Sequence, residues 1–98
     1  MTDFDYQQLD EIIHSRIRLA IIAVLISVEE AEFNFLKEKV NTTDGNLSVH
    51  LRKLEEAGYI TIKKEFIDRK PRTSFALSKK GMKAFEIYVT RLEKLIRK

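Results

Sequence analysis

The side chains best equipped for chemistry in this sequence are those that could pair with a polyanion, and they fall in two clusters. The first spans Asp44 to Ala57. Projected as a helix, this stretch brings Leu47, Leu51 and Leu54 within about 60° of one another as an inward stripe. Gly45, Val49 and Arg52 then lie opposite, with Asn46, Ser48 and Lys53 at the edges. Asn46 and Ser48 can hydrogen-bond base edges or phosphate, Val49 can touch a thymine methyl, and Arg52 can grip guanine bidentately or clamp a phosphate. Gly45 would let the start of the helix approach a nucleic-acid backbone closely. Any solvated helix face could carry such residues, so the neighbouring elements must decide between the two readings.

The second cluster is Lys63, Lys64, Arg69, Lys70 and Arg72, which surround the only proline, Pro71. A basic ribbon tip is narrow enough to lie along a minor groove, whose negative potential attracts arginine. Pro71 is expected to stiffen the turn and reduce the entropy lost on docking. Basic residues at a hairpin tip also guard sheet edges against aggregation, which is the competing explanation.

Other chemistries find no support. The absence of cysteine excludes disulfides, thiolate metal sites and cysteine nucleophiles together. His14 and His50 are the only histidines, with no metal-ligand spacing between them. His50 flanks the leucine stripe and is read as a packed or half-buried residue. The chain shows no Ser/His/Asp set and no Gly-rich phosphate loop, so no metal, no cofactor and no enzyme activity are expected.

The elements that must position the two clusters follow from periodicity and caps. Leu9 to Ile13 reads as a short helix, interrupted at His14-Ser15. Ser15 is then the N-cap of a second helix, in which Ile17, Ala20, Ile21, Val24, Leu25 and Val28 recur at helical spacing. Glu29 to Glu32 is an acidic connection. Asn34 is expected to cap a short helix running through Val40, with Leu36 and Val40 inward. Asn41-Thr42-Thr43 forms a turn, Thr43 caps the helix of the first cluster, and Asp44 suits its positive end. Gly58 closes that helix.

The period then changes. Tyr59 to Phe66 alternates, with Ile60, Ile62 and Phe66 on one side. Ile67 to Arg72 is the polar basic turn, and Thr73 to Leu77 returns with Phe75 and Leu77 on one face. Ser78 caps a last helix reaching nearly to Lys98, whose apolar face is Met82, Phe85, Val89, Leu92 and Ile96, with Leu95 beside it. The expected fold is mostly α with a β-hairpin wing: a winged helix-turn-helix with a long C-terminal helix.

Its 98 residues suit a single domain, residues 1–98. The composition, 44% hydrophobic and 34% charged, belongs to a globular fold rather than a disordered one. The net charge of +3 is divided unevenly. Residues 1–40 carry four Lys/Arg against eight Asp/Glu, a net of −4, while residues 41–98 carry fourteen against seven, a net of +7. That asymmetry favours a polyanion-facing surface on the second part. The N-terminus lacks the basic start of a signal peptide. The longest apolar run, Leu19 to Ile26, is eight residues, against roughly 20 for a membrane span. With no cysteine present, a cytoplasmic location is expected.

The segments TDGNLSVHLRKLEEAGYI and DRKPRTSFALSKKG, together with IHSRIRLAIIAVL near the start, resemble small stand-alone winged helix-turn-helix regulators related to the MarR and ArsR groups. The resemblance covers most of the chain and keeps the same order. It implies a recognition helix over residues 43–57 in the major groove, with Thr43, Asn46, Ser48, Val49 and Arg52 as contacts. It further implies a wing over residues 59–77 on the flanking backbone or minor groove, through Arg69, Lys70 and Arg72. The cysteine sensors of many such proteins have no counterpart here.

The expected function is a DNA-binding transcription regulator whose partners are double-stranded DNA and a second copy of itself. A non-specific architectural DNA binder and a winged-helix protein-interaction module are the alternatives. The terminal regions, residues 1–27 and 78–98, are expected to form the homodimer, because the last helix carries more apolar surface than a short hairpin can cover. Phe4, Tyr6, Leu9 and Ile13 from one end, and Val89, Leu92, Leu95 and Ile96 from the other, are the candidate interface residues. The alternative is that the last helix folds back onto Ile17, Ile21 and Val24 of its own chain.

Overall fold

The computed structural model describes residues 5–97. A 3-10 helix, Tyr6–Gln8, leads into helix α1 (Arg16–Ser27), strand β1 (Ala31–Glu32), helix α2 (Phe33–Val40) and helix α3 (Asp44–Glu56). A hairpin of β2 (Ile60–Ile67) and β3 (Lys70–Leu77) follows, and helix α4 (Lys79–Ile96) is the last element. The strands form one antiparallel sheet in the order β1-β3-β2. This is the winged helix-turn-helix expected, with its long final helix.

Three helices start at hydroxyl caps that the sequence marks. Ser15, Thr43 and Ser78 each accept a hydrogen bond from a backbone N–H three residues on, satisfying a donor that the first helical turn leaves free. At the far end of α3, Gly58 takes φ +81°, Gly58 N–H bonds to Glu55 O and Tyr59 N–H to Leu54 O. This paired closure turns the chain directly into the wing.

Leu9 to Ile13 is not a helix. The Asp10 carboxylate accepts from the amides of Ile12 and Ile13, and His14 N–H bonds to Asp10 O, so a single turn closes on itself. A short acidic side chain competing for backbone donors stops propagation there, and Ser15 starts afresh. Asn34 does not cap α2: the helix begins at Phe33, with Glu32 at the cap position and no side-chain bond. Ala31 and Glu32 are held in the sheet opposite Phe75 and Ser74, so the strand runs straight into the helix. The acidic connection, Glu29 to Glu32, thus contains β1.

The hairpin is tighter and longer than expected. Its turn is only Asp68-Arg69, both left-handed at φ 52° and 67°, the two-residue turn whose twist matches a β-ribbon. Pro71 lies in β3 opposite Phe66, not in the turn. It follows the tight pair Ile67–Lys70, so its missing N–H falls at a non-hydrogen-bonding position, beyond the reach of two-residue β1. Phe66, expected on the inner face with Ile60 and Ile62, is exposed, because the ribbon has by then run past the core.

The core joins Ile21, Ile22 and Leu25 of α1, Leu36 of α2, Leu47, Leu51 and Leu54 of α3, Ala31, Ile60 and Phe75 of the sheet, Ile13, and Tyr88 of α4. In α1 the most buried residues are Arg18, Ile21, Ile22 and Leu25, whereas Ile17, Ala20, Val24 and Val28 are half-buried. The inward face of α4 is likewise rotated from expectation. Gly81 and Tyr88 are buried and Ala84, Phe85 and Leu92 pack against the core, while Met82 and Ile96 are exposed.

Three contacts set the course of α4. At Gly81 a Cβ would lie 2.1 Å from the Tyr59 carbonyl oxygen, so only glycine lets the helix rest on the wing root. Further along, His14 Nδ1 meets the Tyr88 hydroxyl at 2.9 Å and Arg91 donates to Gln8 O at 2.7 Å. The last helix therefore leans on the N-terminal segment of its own chain. Ile13, an expected subunit-interface residue, is instead wholly enclosed in this intrachain core and offers no surface to a second copy. Among the described residues, no helix is long and apolar enough to cross a membrane.

Candidate nucleic-acid interface

Helix α3 is fixed at its start, its inner face and its end, which leaves one face free. The Thr43 hydroxyl accepts from Asn46 N–H at 3.2 Å, and Lys37 at the end of α2 pairs with Asp44 at 2.8 Å across the turn. That turn needs the left-handed conformation of Asn41, φ 60°, which asparagine tolerates better than most residues. Leu47, Leu51 and Leu54 sink into the core. Gly45, Asn46, Ser48, Val49, Arg52 and Lys53 are all exposed, with Val49 at 50% although its side chain is apolar. A donor, a hydroxyl, a branched aliphatic and two cations thus share one uncovered helix face. Nothing lies within 4 Å of where a Gly45 Cβ would be, so this glycine meets no internal packing demand.

His50 is half-buried, as expected of a residue beside the stripe. Its partner is Arg18 of α1, which reaches it with Nη1 2.8 Å from His50 Nδ1. Arg18, only 9% exposed, also donates to the carbonyl oxygens of Ile12 and, at 3.4 Å, Glu11. An arginine amid the apolar spacing of Ile21, Ile22 and Leu25 was the available signal. Burial, the Arg18 charge and the Lys53 charge together hold the His50 imidazole below its usual pKa. The neutral ring accepts the Arg18 proton at Nδ1 and carries its own on Nε2.

The wing root is anchored by Tyr59. Its hydroxyl donates to the Asp10 carboxylate, and Lys80 Nζ sits 5.8 Å from its ring centre. Burial first, then the hydrogen bond and charge of Asp10, push the phenol up to about 12.

The wing cations divide into two groups. Arg72 pairs with Glu30 at 3.3 Å, Glu32 at 3.2 Å and Glu65 at 3.4 Å, and Lys63 lies 3.7 Å from Glu65. Among the described residues Lys64, Arg69 and Lys70 have no carboxylate partner within salt-bridge distance, and all three are exposed. Of the three expected wing contacts, Arg69 and Lys70 stand free at the turn, while Arg72, in the third pair from the turn, is held by three carboxylates. That neutralisation depends on β1, which sequence periodicity does not disclose.

Of the expected interface between subunits, Phe4 lies outside the described residues. Tyr6, Leu95 and Ile96 are exposed, and Leu9, Val89 and Leu92 are half-buried.

A family model described as a winged helix DNA-binding domain matches residues 17–96. An uncharacterized protein of Methanocaldococcus jannaschii is 46% identical over 79 residues, 81% of this chain and 86% of that protein. Among solved structures, the transcriptional regulator homologue protein from Pyrococcus horikoshii OT3 is 30% identical. It superimposes with a TM-score of 0.82 over 89% of this chain and 86% of its own. A protein of Enterococcus faecalis V583 assigned to the MarR family of transcriptional regulators shares the fold at 18% identity. Its TM-score is 0.74 over 84% of this chain and 74% of its own. The match runs from the first turn of α1 to the last residue of α4 and includes both the free face of α3 and the wing, and this chain belongs to the winged helix DNA-binding domain family.

Proposed function

We infer that the protein is a DNA-binding transcription regulator that lays α3 in the major groove of a duplex and its wing on the flanking backbone or minor groove. The observation that carries this reading is the free face of α3. Asn46, Ser48, Val49, Arg52 and Lys53 point away from the core between a tight turn and a hairpin tipped by unpaired cations. In this reading Asn46, Ser48, Val49 and Arg52 read base edges, while Thr43, Gly45 and Lys53 lie along the backbone. Arg69 and Lys70 hold the flank. The protein works by binding rather than by catalysis, in the cytoplasm and as a homodimer. Half-sites then lie about 34–36 Å apart, or a multiple of that.

Selection of bound sequences from a random duplex pool tests the reading. Enrichment of a palindrome supports a sequence-specific dimer, whereas retention without enrichment leaves only general DNA affinity. With ~6–10 phosphates contacted, affinity should fall about 10³–10⁵-fold between 50 and 200 mM salt. Affinity indifferent to salt would rule out this mode.

A further inference from the structure

We propose that Phe66, backed by Pro71, is an apolar wedge that the wing presses between base pairs of the DNA flank, kinking the duplex outside the segment read by α3. The inference rests on the DNA-binding reading above and adds a residue and a deformation to it.

Phe66 is 78% exposed, more than any other large apolar side chain among the described residues. A phenylalanine in water forgoes about 1.5–3 kcal/mol of burial. Its exposure does not come from an irregular loop. Phe66 stands in regular β2, directly opposite Pro71 of β3, and cross-strand partners share one face of a ribbon. The pair next inward on that face is Lys64–Thr73, and the tight two-residue turn lies just beyond. An apolar pair is therefore carried rigidly near the end of a two-stranded ribbon.

The charges around this pair identify what it meets. Lys64 shares the face of Phe66 and Pro71, Arg69 lies in the turn and Lys70 is at its edge. Among the described residues none of the three has a carboxylate within salt-bridge distance, whereas Lys63 and Arg72, on the opposite face of the ribbon, are paired with Glu65, Glu30 and Glu32. Positive charge is thus left uncompensated where the apolar pair projects. Two such tips brought together would repel, which argues against a second copy as the occupant. A polyanion with apolar surface inside it satisfies both features. In duplex DNA the phosphates meet the cations, and the flat base faces, reached by opening a step, meet the phenyl ring. Apolar side chains inserted this way unstack a step and bend the duplex, at a cost recovered in added contact. Pyrimidine–purine steps open most readily, so the wing should favour a TA or CA/TG step at a fixed distance from the α3 contacts.

The test uses the full chain and a duplex recovered by the pool selection. 2-Aminopurine is placed at successive flank positions, and a donor–acceptor pair at the two ends reports bending. Binding should raise 2-aminopurine fluorescence at one flank position per half-site and shorten the end-to-end distance. F66A should abolish both signals and weaken binding roughly ten-fold or more, the scale of lost aromatic–base stacking. F66L, which keeps a wedge, should retain most of the bend. F66K separates wedge from charge, because it should hold affinity through phosphates yet leave the duplex straight. Thermal melting of each variant checks folding, which an exposed position should preserve.

Tight binding by the unaltered protein with no fluorescence rise at any flank position overturns the proposal. So does an F66A protein that bends DNA as before, or one whose change is a shift in sedimentation rather than in bending. Failure to retain any duplex overturns the DNA-binding reading itself, and the wedge with it.

Discussion

Arg18 Nη1 and His50 Nδ1 lie 2.8 Å apart, so a buried arginine of α1 is joined to the inward edge of α3. The arginine is also tied to the carbonyls of Glu11 and Ile12, so α3 is linked to the N-terminal turn through one side chain. Neutral His50 can accept that hydrogen bond. The imidazolium has no lone pair to offer and would face the positive charges of Arg18 and, along its own helix, Lys53.

Stability should therefore fall in mild acid. Because the His50 pKa is lowered in the folded state from 6.5, the unfolded chain binds the proton more readily. The contribution is complete above about 6.5 and is lost as pH falls through the folded-state value. Denaturant unfolding measured from pH 8 to pH 5 should show this decline. His50→Gln keeps an acceptor without a titrating group, so the His50 component should be missing from its profile. Arg18→Met should cost about 1–3 kcal/mol at neutral pH, because it strips buried carbonyls of their donor. A wild-type profile identical to that of His50→Gln would dismiss the coupling.

Arg72 and Arg69 should behave differently toward DNA despite their proximity in sequence. Arg69→Ala or Lys70→Ala should weaken binding to all duplexes and reduce the salt slope by about 1 each. Arg72→Ala removes a charge already balanced by Glu30, Glu32 and Glu65, so the slope should change less. Its effect on stability should be at most about 1 kcal/mol per partly exposed pair. Salt titrations of the three variants against one duplex give the comparison, and an Arg72→Ala slope change equal to that of Arg69→Ala would place Arg72 on phosphate.

The difference between these arginines also shows where sequence reading reaches its limit. Features set by neighbours along the chain were legible: the hydroxyl caps at Ser15, Thr43 and Ser78, the closing glycine at 58, and the leucine stripe of α3. Each is a local side-chain–backbone fit or a helical repeat. Features made by distant pairings were not legible. β1 is two residues long, too short for a period, and exists only because Ala31 meets Phe75. Tyr88 is buried because His14 and the N-terminal segment come to it, which displaces the α4 stripe from the purely apolar one. The Asp68-Arg69 turn contains no glycine, so its left-handed pair left little trace, and Pro71 suggested a wider loop.

Two glycine-to-alanine replacements should have opposite effects. Gly81→Ala gains helix propensity but drives a methyl into the Tyr59 carbonyl, and backbone cannot swing aside as a side-chain tip can. It should destabilise the fold by about 1–3 kcal/mol. Gly45→Ala meets open space in a helix and should stabilise by about 0.5–1 kcal/mol. If Gly45 serves close approach to the DNA backbone, that more stable variant should nevertheless bind duplex more weakly. Melting temperature and duplex affinity, measured on the same preparations, separate the two effects. Undiminished affinity in Gly45→Ala would show that the helix start stands clear of the DNA.

The final helix supplies the test of dimerisation. The chain is elongated, with extents of 60 × 26 × 22 Å, and its own core accounts for Tyr88, Phe85 and Leu92 but not for the end of α4. Ile96 is 72% exposed, Leu95 is also exposed, Val89 is half-buried, and Tyr6 stands out from the N-terminal segment. Exposed large apolar side chains at the ends of a chain are candidates for an interaction site, and a two-fold axis would let the same surface cover itself. Leu92 packs inward, so replacing it would confuse unfolding with dissociation. Leu95→Glu with Ile96→Glu avoids that difficulty, since neither residue belongs to the core. Sedimentation equilibrium should find the unaltered chain dimeric at micromolar concentration and the double variant monomeric with its melting behaviour otherwise intact. The monomer should also lose most of its preference for a palindrome over a single half-site, because the second contact is no longer held near the first. An unaltered chain that sediments as a monomer, or a double variant that remains dimeric, would remove the ends of the chain from the interface.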